Sequence, residues 1–204
     1  MLLEWLRLGG VPMWLLLVLS LTAVTVAIVK SWELWEWRYA RLPATWRHQR
    51  ADLAVAQLAG ERSPLATVLA IAIAALGDGA ATEAQARERT EQAAAVALER
   101  MRSGFRVLEV IAQLAPLLGL FGTVLGMIDS FRSLQQAGGD VQPALLASGI
   151  WQALLTTAAG LAIAMPVIAL LSALERIVDG QRLALEADLT QLFTQPRLQR
   201  RHAA

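Results

Sequence analysis

The 204-residue chain contains no cysteine and only two histidines. The first absence excludes disulfides and thiolate metal sites. His48 and His202 both sit in polar stretches, so neither a metal centre nor a cofactor is expected. The glycines between 119 and 126 are not followed by the Lys-Ser/Thr pair of a phosphate-binding loop. No nucleophile and base fall together in a plausible pocket, and the chain is not expected to be an enzyme.

The most informative absence is of charge. Residues 8–29 carry none between Arg7 and Lys30, residues 110–128 none between Glu109 and Asp129, and residues 141–174 none between Asp140 and Glu175. A mean hydropathy of +0.47 with 56% hydrophobic residues is too apolar for an ordinary soluble domain. About 20 helical residues cross the ~30 Å hydrocarbon core. The expected fold is therefore an all-α membrane protein with transmembrane helices at 8–29, 110–128 and 150–174. The first is read as a retained span, because Glu4 stands beside Arg7 and no small-x-small cleavage site follows.

Basic residues give an orientation. The connection 30–109 holds eleven Lys/Arg and the segment 175–204 five, against Arg7 alone before the first span and Arg132 alone in the hairpin 129–149. Cytoplasmic segments are the basic ones. Residues 1–7 and 129–149 are thus expected outside, and 30–109 and 175–204 inside, on the cytoplasmic face. Trp5, Trp14, Trp32, Trp35 and Trp37 cluster toward the two ends of the first span, as amphipathic rings do at headgroups.

The long connection reads as helical. A mixed run at 47–58 stops near Gly60. Ser63-Pro64 supplies an N-cap and first-turn proline for the apolar run 65–76, too short to span and suited to packing inside a bundle. Gly77-Asp78-Gly79 ends it, and Thr82 caps an Ala/Glu/Arg-rich helix with Glu83 and Arg87 paired i,i+4. Only Gly104 interrupts the stretch from Thr82 to Val110, so one long helix into the second span is the simplest expectation. Residues 175–193 continue the third span, with Leu185, Leu189 and Leu192 on one face. Such extensions are either solvated connectors or surfaces for assembly between copies.

The inner spans carry unusual residues. In "APLLGLFGTVLGMIDSF" (115–131), Pro116 and three glycines occupy helix interior, where Gly costs about 1 and Pro about 3 kcal/mol against Ala. Gly119, Gly122 and Gly126 share one face, and in lipid small residues allow close helix approach. Thr123 lies one turn beyond Gly119. The third span, "GIWQALLTTAAGLAIAMPVIALLSAL" (149–174), repeats the theme with Ala153, Thr156, Thr157, Gly160 and Ala164. Thr123 and Thr157 fall at comparable depth. A hydroxyl in a membrane helix can also simply bond its own i−4 carbonyl.

These two motifs, in this order, resemble the ExbB/TolQ family of inner-membrane motor subunits, more distantly related to MotA, with the TT-A-A-G-L form closer to ExbB. The likeness is strong over about 100–195. It implies a pentameric ring whose second and third spans line a pore around a dimer of a single-span ExbD/TolR-like partner. Proton flow past that partner's membrane Asp drives movement passed to a TonB-like protein or a related envelope system. By motif, Thr123 and Thr157 match the family's pore-lining threonines, and Pro116 and Pro166 the prolines of the pore helices. Gly119, Gly122, Gly126 and Gly160 are then packing residues of those helices. On this view the glycine face leaves room for the central helix, and Gly122→Leu blocks ring assembly. Gln152 stands where many relatives carry Glu and cannot ionise.

The residues themselves agree on one point. A proton relay needs a titratable group at membrane depth, and 110–128 and 150–174 have none, so another polypeptide must supply it. Glu109 and Asp129 mark span ends. A passive structural ring or ion channel is the alternative. A secondary transporter would show an inverted internal repeat, which is missing.

Overall fold

A computed structural model describes residues 10–39, 63–77, 81–136 and 143–194, all helical apart from short caps and turns, with no strand among them. The expected helix at 47–58 and both histidines lie outside the described residues. Among the described residues five helices follow one another: α1 (Gly10–Tyr39), α2 (Pro64–Gly77), α3 (Glu83–Arg102), α4 (Phe105–Gln136) and α5 (Pro143–Thr194). Three of them, α1, α4 and α5, are long and apolar enough to cross a membrane. Helices satisfy their own backbone groups, the condition for spanning a bilayer.

The chain divides into two compact units. The first comprises Met1–Lys30 and Gly104–Ser172. Its core is formed by Met13 and Leu16 of α1, Ala115 of α4 and Ala164 of α5, flanked by Leu118, Leu155, Ala159 and Ile163. Around this seam the helices expose large apolar side chains, among them Leu21 and Ile28 on α1, Leu117 and Phe121 on α4, and Leu154 and Met165 on α5. Contiguous apolar surface on this scale suits lipid or a neighbouring helix, not water. Thr22 and Thr25 on α1 donate to the carbonyls of Val18 and Leu21, each at 2.8 Å, which satisfies hydroxyls facing outward.

The second unit comprises Ser31–Ser103 and Ala173–Ala204. Helix α2 begins at Pro64 after buried Ser63, whose carbonyl accepts from the Thr67 amide. It buries Leu65, Ala66, Val68, Leu69, Ala72, Ile73 and Ala75 and packs against α3, as the short apolar run implied. Thr82 caps α3 with a reciprocal pair of bonds: its Oγ1 accepts from the Gln85 amide at 3.3 Å, and its own amide donates to Gln85 Oε1 at 3.0 Å. The end of α5 buries Leu174, Val178, Leu185 and Leu192. The spacing of four, seven and seven residues is that of one helix face. This extension is therefore packed along one side, not solvated all round. Arg102 bridges Asp179 at 2.9 Å, and Arg87 stacks over Phe193 at 5.3 Å. Both Arg102 and Asp179 are more than half exposed, so that pair contributes roughly 0–1 kcal/mol.

The expected continuous helix from Thr82 into the second span is not formed. Helix α3 ends at Arg102, and Gly104 takes φ +85° before α4 starts at Phe105. The carbonyl of Gly104 accepts from the amides of Val107 and Leu108, so this residue opens α4 and is not part of its interior. L-residues disfavour this conformation by about 1–2 kcal/mol. A Cβ here would also stand 3.2 Å from Lys30 Cε and 3.6 Å from Val26 Cγ1. Gly104→Val is therefore expected to lower stability by roughly 2 kcal/mol, read as a lower melting temperature in detergent. An unchanged melting temperature would mean that the break is not native.

Candidate functional site

The inner hairpin brings α4 and α5 into backbone contact, and glycine is the reason. A Cβ on Gly119 would stand 2.9 Å from the Thr156 carbonyl oxygen and 3.0 Å from Thr157 Cα. One on Gly122 would collide with Thr156 Oγ1 and lie 2.7 Å from Thr156 Cβ, and one on Gly126 would lie 2.9 Å from Ala153 Cβ. From the other side, a Cβ on Gly160 would run into the Ala115 carbonyl oxygen and stand 3.2 Å from Gly119 Cα. Gly149 makes a similar close approach to Ser130 Oγ toward the hairpin's end. The small-residue stripes of the two spans are thus each other's partners within one chain. The expectation that the glycine face leaves room for a central helix is corrected: α5 already fills it.

Three threonines cluster here, and they differ in their bonds. Thr156 is 2% exposed and donates to the carbonyls of Ala153, at 2.7 Å, and Gly119, at 3.2 Å. Thr123, half-buried, donates to the Leu120 carbonyl at 2.6 Å, a local bond within α4. Thr157 is half-buried, yet its Oγ1 is shielded from solvent and has no hydrogen-bond partner among the described residues. A buried unpaired hydroxyl costs about 1–3 kcal/mol. Such groups are uncommon and call for a specific account.

The other predicted positions scatter around this cluster. Gln152 is half-buried on α5; Pro116 is half-buried on α4 and Pro166 exposed on α5. Neither proline ends its helix, although each lacks the N–H that the ladder would use. Glu109 and Asp129 are exposed on α4, outside the uncharged stretch. Among the described residues no group of three or more His, Cys, Asp or Glu could hold a metal ion.

Thr156 is the residue that sequence reasoning placed in the stripe without giving it a part. At about 100° per residue, Thr156 and Thr157 fall about 50° either side of the line through Ala153, Gly160 and Ala164. Gly122 and Thr123 straddle the α4 stripe in the same way. Spacing alone therefore leaves open which hydroxyl enters the neighbouring helix. The signal that could have decided it is the smallness of Gly122, which offers a hole for one β-branched side chain opposite.

Comparison with known proteins bears on this hairpin directly. Residues 60–187 match the family described as the MotA/TolQ/ExbB proton channel family. The chain is 42% identical over 104 residues to the biopolymer transport protein exbB1 of Vibrio cholerae, covering 49% of this chain and 42% of that protein. It is 39% identical over 164 residues to a putative biopolymer transport protein, ExbB-like 1, of Synechocystis, covering 77% of this chain and 64% of that one. A putative ExbB homologue of Methanothermobacter thermautotrophicus is 36% identical over 107 residues, covering 52% and 37%. The matched stretches thus span about half the length of these curated relatives.

Proposed function

The chain belongs to the MotA/TolQ/ExbB proton channel family, and from that premise we propose that it is the ring-forming subunit of a proton-driven motor in the bacterial inner membrane. Several copies, five in the preferred arrangement, surround a single-span ExbD/TolR-like partner that carries a membrane-embedded Asp. Movement of that partner is passed to a TonB-like protein or a related envelope system. Residues 1–7 and 129–149 face the periplasm, and 30–109 and 175–204 the cytoplasm.

The observation that carries this reading is Thr157. Its Oγ1 is shielded and unpaired in a single chain, on a hairpin whose apolar stretches 110–128 and 150–174 contain no titratable residue. A hydroxyl can donate to a carboxylate and accept from a carboxylic acid. It can therefore serve an incoming acid in both protonation states, with Thr123 nearby as a second hydroxyl and Gln152 as a polar side chain toward the span end. The energy is that of the membrane: one charge crossing 100 mV releases about 2.3 kcal/mol. Within the chain the role of Pro116, Gly119, Gly122, Gly126, Gly160 and Pro166 is to shape the helices that present these groups.

The native mass of the detergent-solubilised protein, co-expressed with the single-span Asp-bearing protein encoded nearest to it, tests this reading. A ring of five subunits retaining two partner chains is expected. A ring that excludes every such partner would instead favour a passive scaffold or ion channel, and the unpaired hydroxyl would lose its assigned ligand.

A further inference from the structure

Thr156 makes one bond more than its burial requires. Its single hydroxyl proton is shared between the Ala153 carbonyl, 2.7 Å away on the preceding turn of α5, and the Gly119 carbonyl, 3.2 Å away on α4. The first bond is the usual local one for a threonine in a helix and would satisfy the hydroxyl alone. The second crosses between helices. It is possible because Gly122 has no side chain: the space a Cβ would take there is occupied by Thr156 Oγ1 and Cβ.

The acceptor is also significant. In the i→i−4 ladder of α4, the Gly119 carbonyl is the partner of the Thr123 amide. Thr156 thus meets the carbonyl that anchors Thr123, while the next residue along α5 is Thr157. The Cα of Thr157 lies 3.0 Å from where a Cβ on Gly119 would stand. Thr156 and Thr123 thus share the Gly119 carbonyl, and the Thr157 backbone lies against the same residue. Glycine and alanine contacts bring two helices close, but their smooth surfaces do little to stop one helix rotating or sliding on the other. In lipid, apolar area adds little force between helices, so a directional bond carries much of that task.

The geometry points to Thr156 as a positioning residue: its hydroxyl bond to the Gly119 carbonyl sets the rotation of α5 against α4 and so holds the Thr157 and Thr123 hydroxyls in register. Its functional part rests on the motor reading above; its structural part does not. Thr156→Val removes the hydroxyl while keeping a β-branched side chain of similar size, and Thr156→Ser keeps the hydroxyl. Each variant is purified as the full chain with the single-span partner and placed in liposomes. Two quantities are read: amide hydrogen exchange across residues 119–126, and proton uptake driven by an imposed membrane potential.

Thr156→Val is expected to preserve the native mass, raise exchange roughly fivefold and lower uptake at least as much, since an interhelical bond of this kind is worth about 1 kcal/mol. Thr156→Ser is expected to return both to within about twofold of the unmodified protein, which a role in filling space alone would not achieve. Unchanged exchange in Thr156→Val overturns the bond's role, whatever uptake does. Raised exchange with unchanged uptake overturns positioning. If the unmodified assembly shows no uptake, the motor reading fails by itself, and exchange in the two variants then decides whether the Thr156 bond holds α5 against α4.

Discussion

Gly160→Leu is expected to leave a chain that inserts into membranes but forms no compact hairpin and no oligomer. At this position the obstacle is backbone. A Cβ would meet the Ala115 carbonyl oxygen and stand 3.2 Å from both Ala115 C and Gly119 Cα. No rotamer change relieves such a contact, so α5 must move away from α4 as a body. That movement takes Thr156 off the Gly119 carbonyl and opens the core shared with Met13 and Leu16. Overpacking by itself costs about 1–3 kcal/mol, and the loss of helix contact adds to it. Total destabilisation is expected to exceed about 3 kcal/mol, a large part of the ordinary stability of a domain. Loss of the cooperative thermal transition and of the high-mass species in detergent is the expected reading. Gly180→Ala is the control: nothing lies within 4 Å of its Cβ position, and alanine should stabilise that helix by about 0.5–1 kcal/mol. Wild-type mass and melting temperature in Gly160→Leu would show that the two spans do not pack in this register. The same geometry changes the expectation for Gly122→Leu. Its first target is Thr156 within the same chain, and any effect on the ring follows from that.

Thr157→Val should do the opposite, sparing structure and removing function. The Thr157 hydroxyl makes no hydrogen bond among the described residues, so replacing it with a methyl group removes a desolvated polar atom without breaking such a bond. The melting temperature is expected to hold or rise slightly. Hydrogen bonds to charged groups contribute about 1.5–3 kcal/mol, so loss of one to a partner carboxylate predicts a fall of roughly 10- to 100-fold in proton-driven activity. Full activity would remove Thr157 from the proton path. A melting temperature lowered by several degrees would reassign the hydroxyl to packing.

Much of the fold was legible because the membrane imposes a rule that a linear sequence can display. Uncharged stretches at 8–29, 110–128 and 141–174 correspond to α1, α4 and α5, and all three helices run past the expected spans, to Tyr39, to Gln136 and back to Pro143. Local chemistry was legible as well: Pro64 opens α2, Thr82 caps α3, and α5 continues to Thr194 with Leu185 and Leu192 buried. Each of these depends on neighbours within a few residues or on one helix face. Gly104 was harder to read. A lone glycine is tolerated in a helix or ends it, and the sequence does not say whether a lysine 74 positions earlier lies against it.

Read alone, the sequence established three helices apolar enough to span a membrane, a small-residue face on two of them, and no titratable residue in the stretches 110–128 and 150–174. These follow from residue type and helical period, which need no knowledge of where distant segments go. The folded hairpin alone shows that the glycine face of α4 is filled by α5 of the same chain. Only it decided that Thr156 bonds across the hairpin while Thr157 is left unpaired. Adjacent residues straddling a helix stripe are equivalent until a neighbour breaks the symmetry, and here Gly122, on another helix, does so.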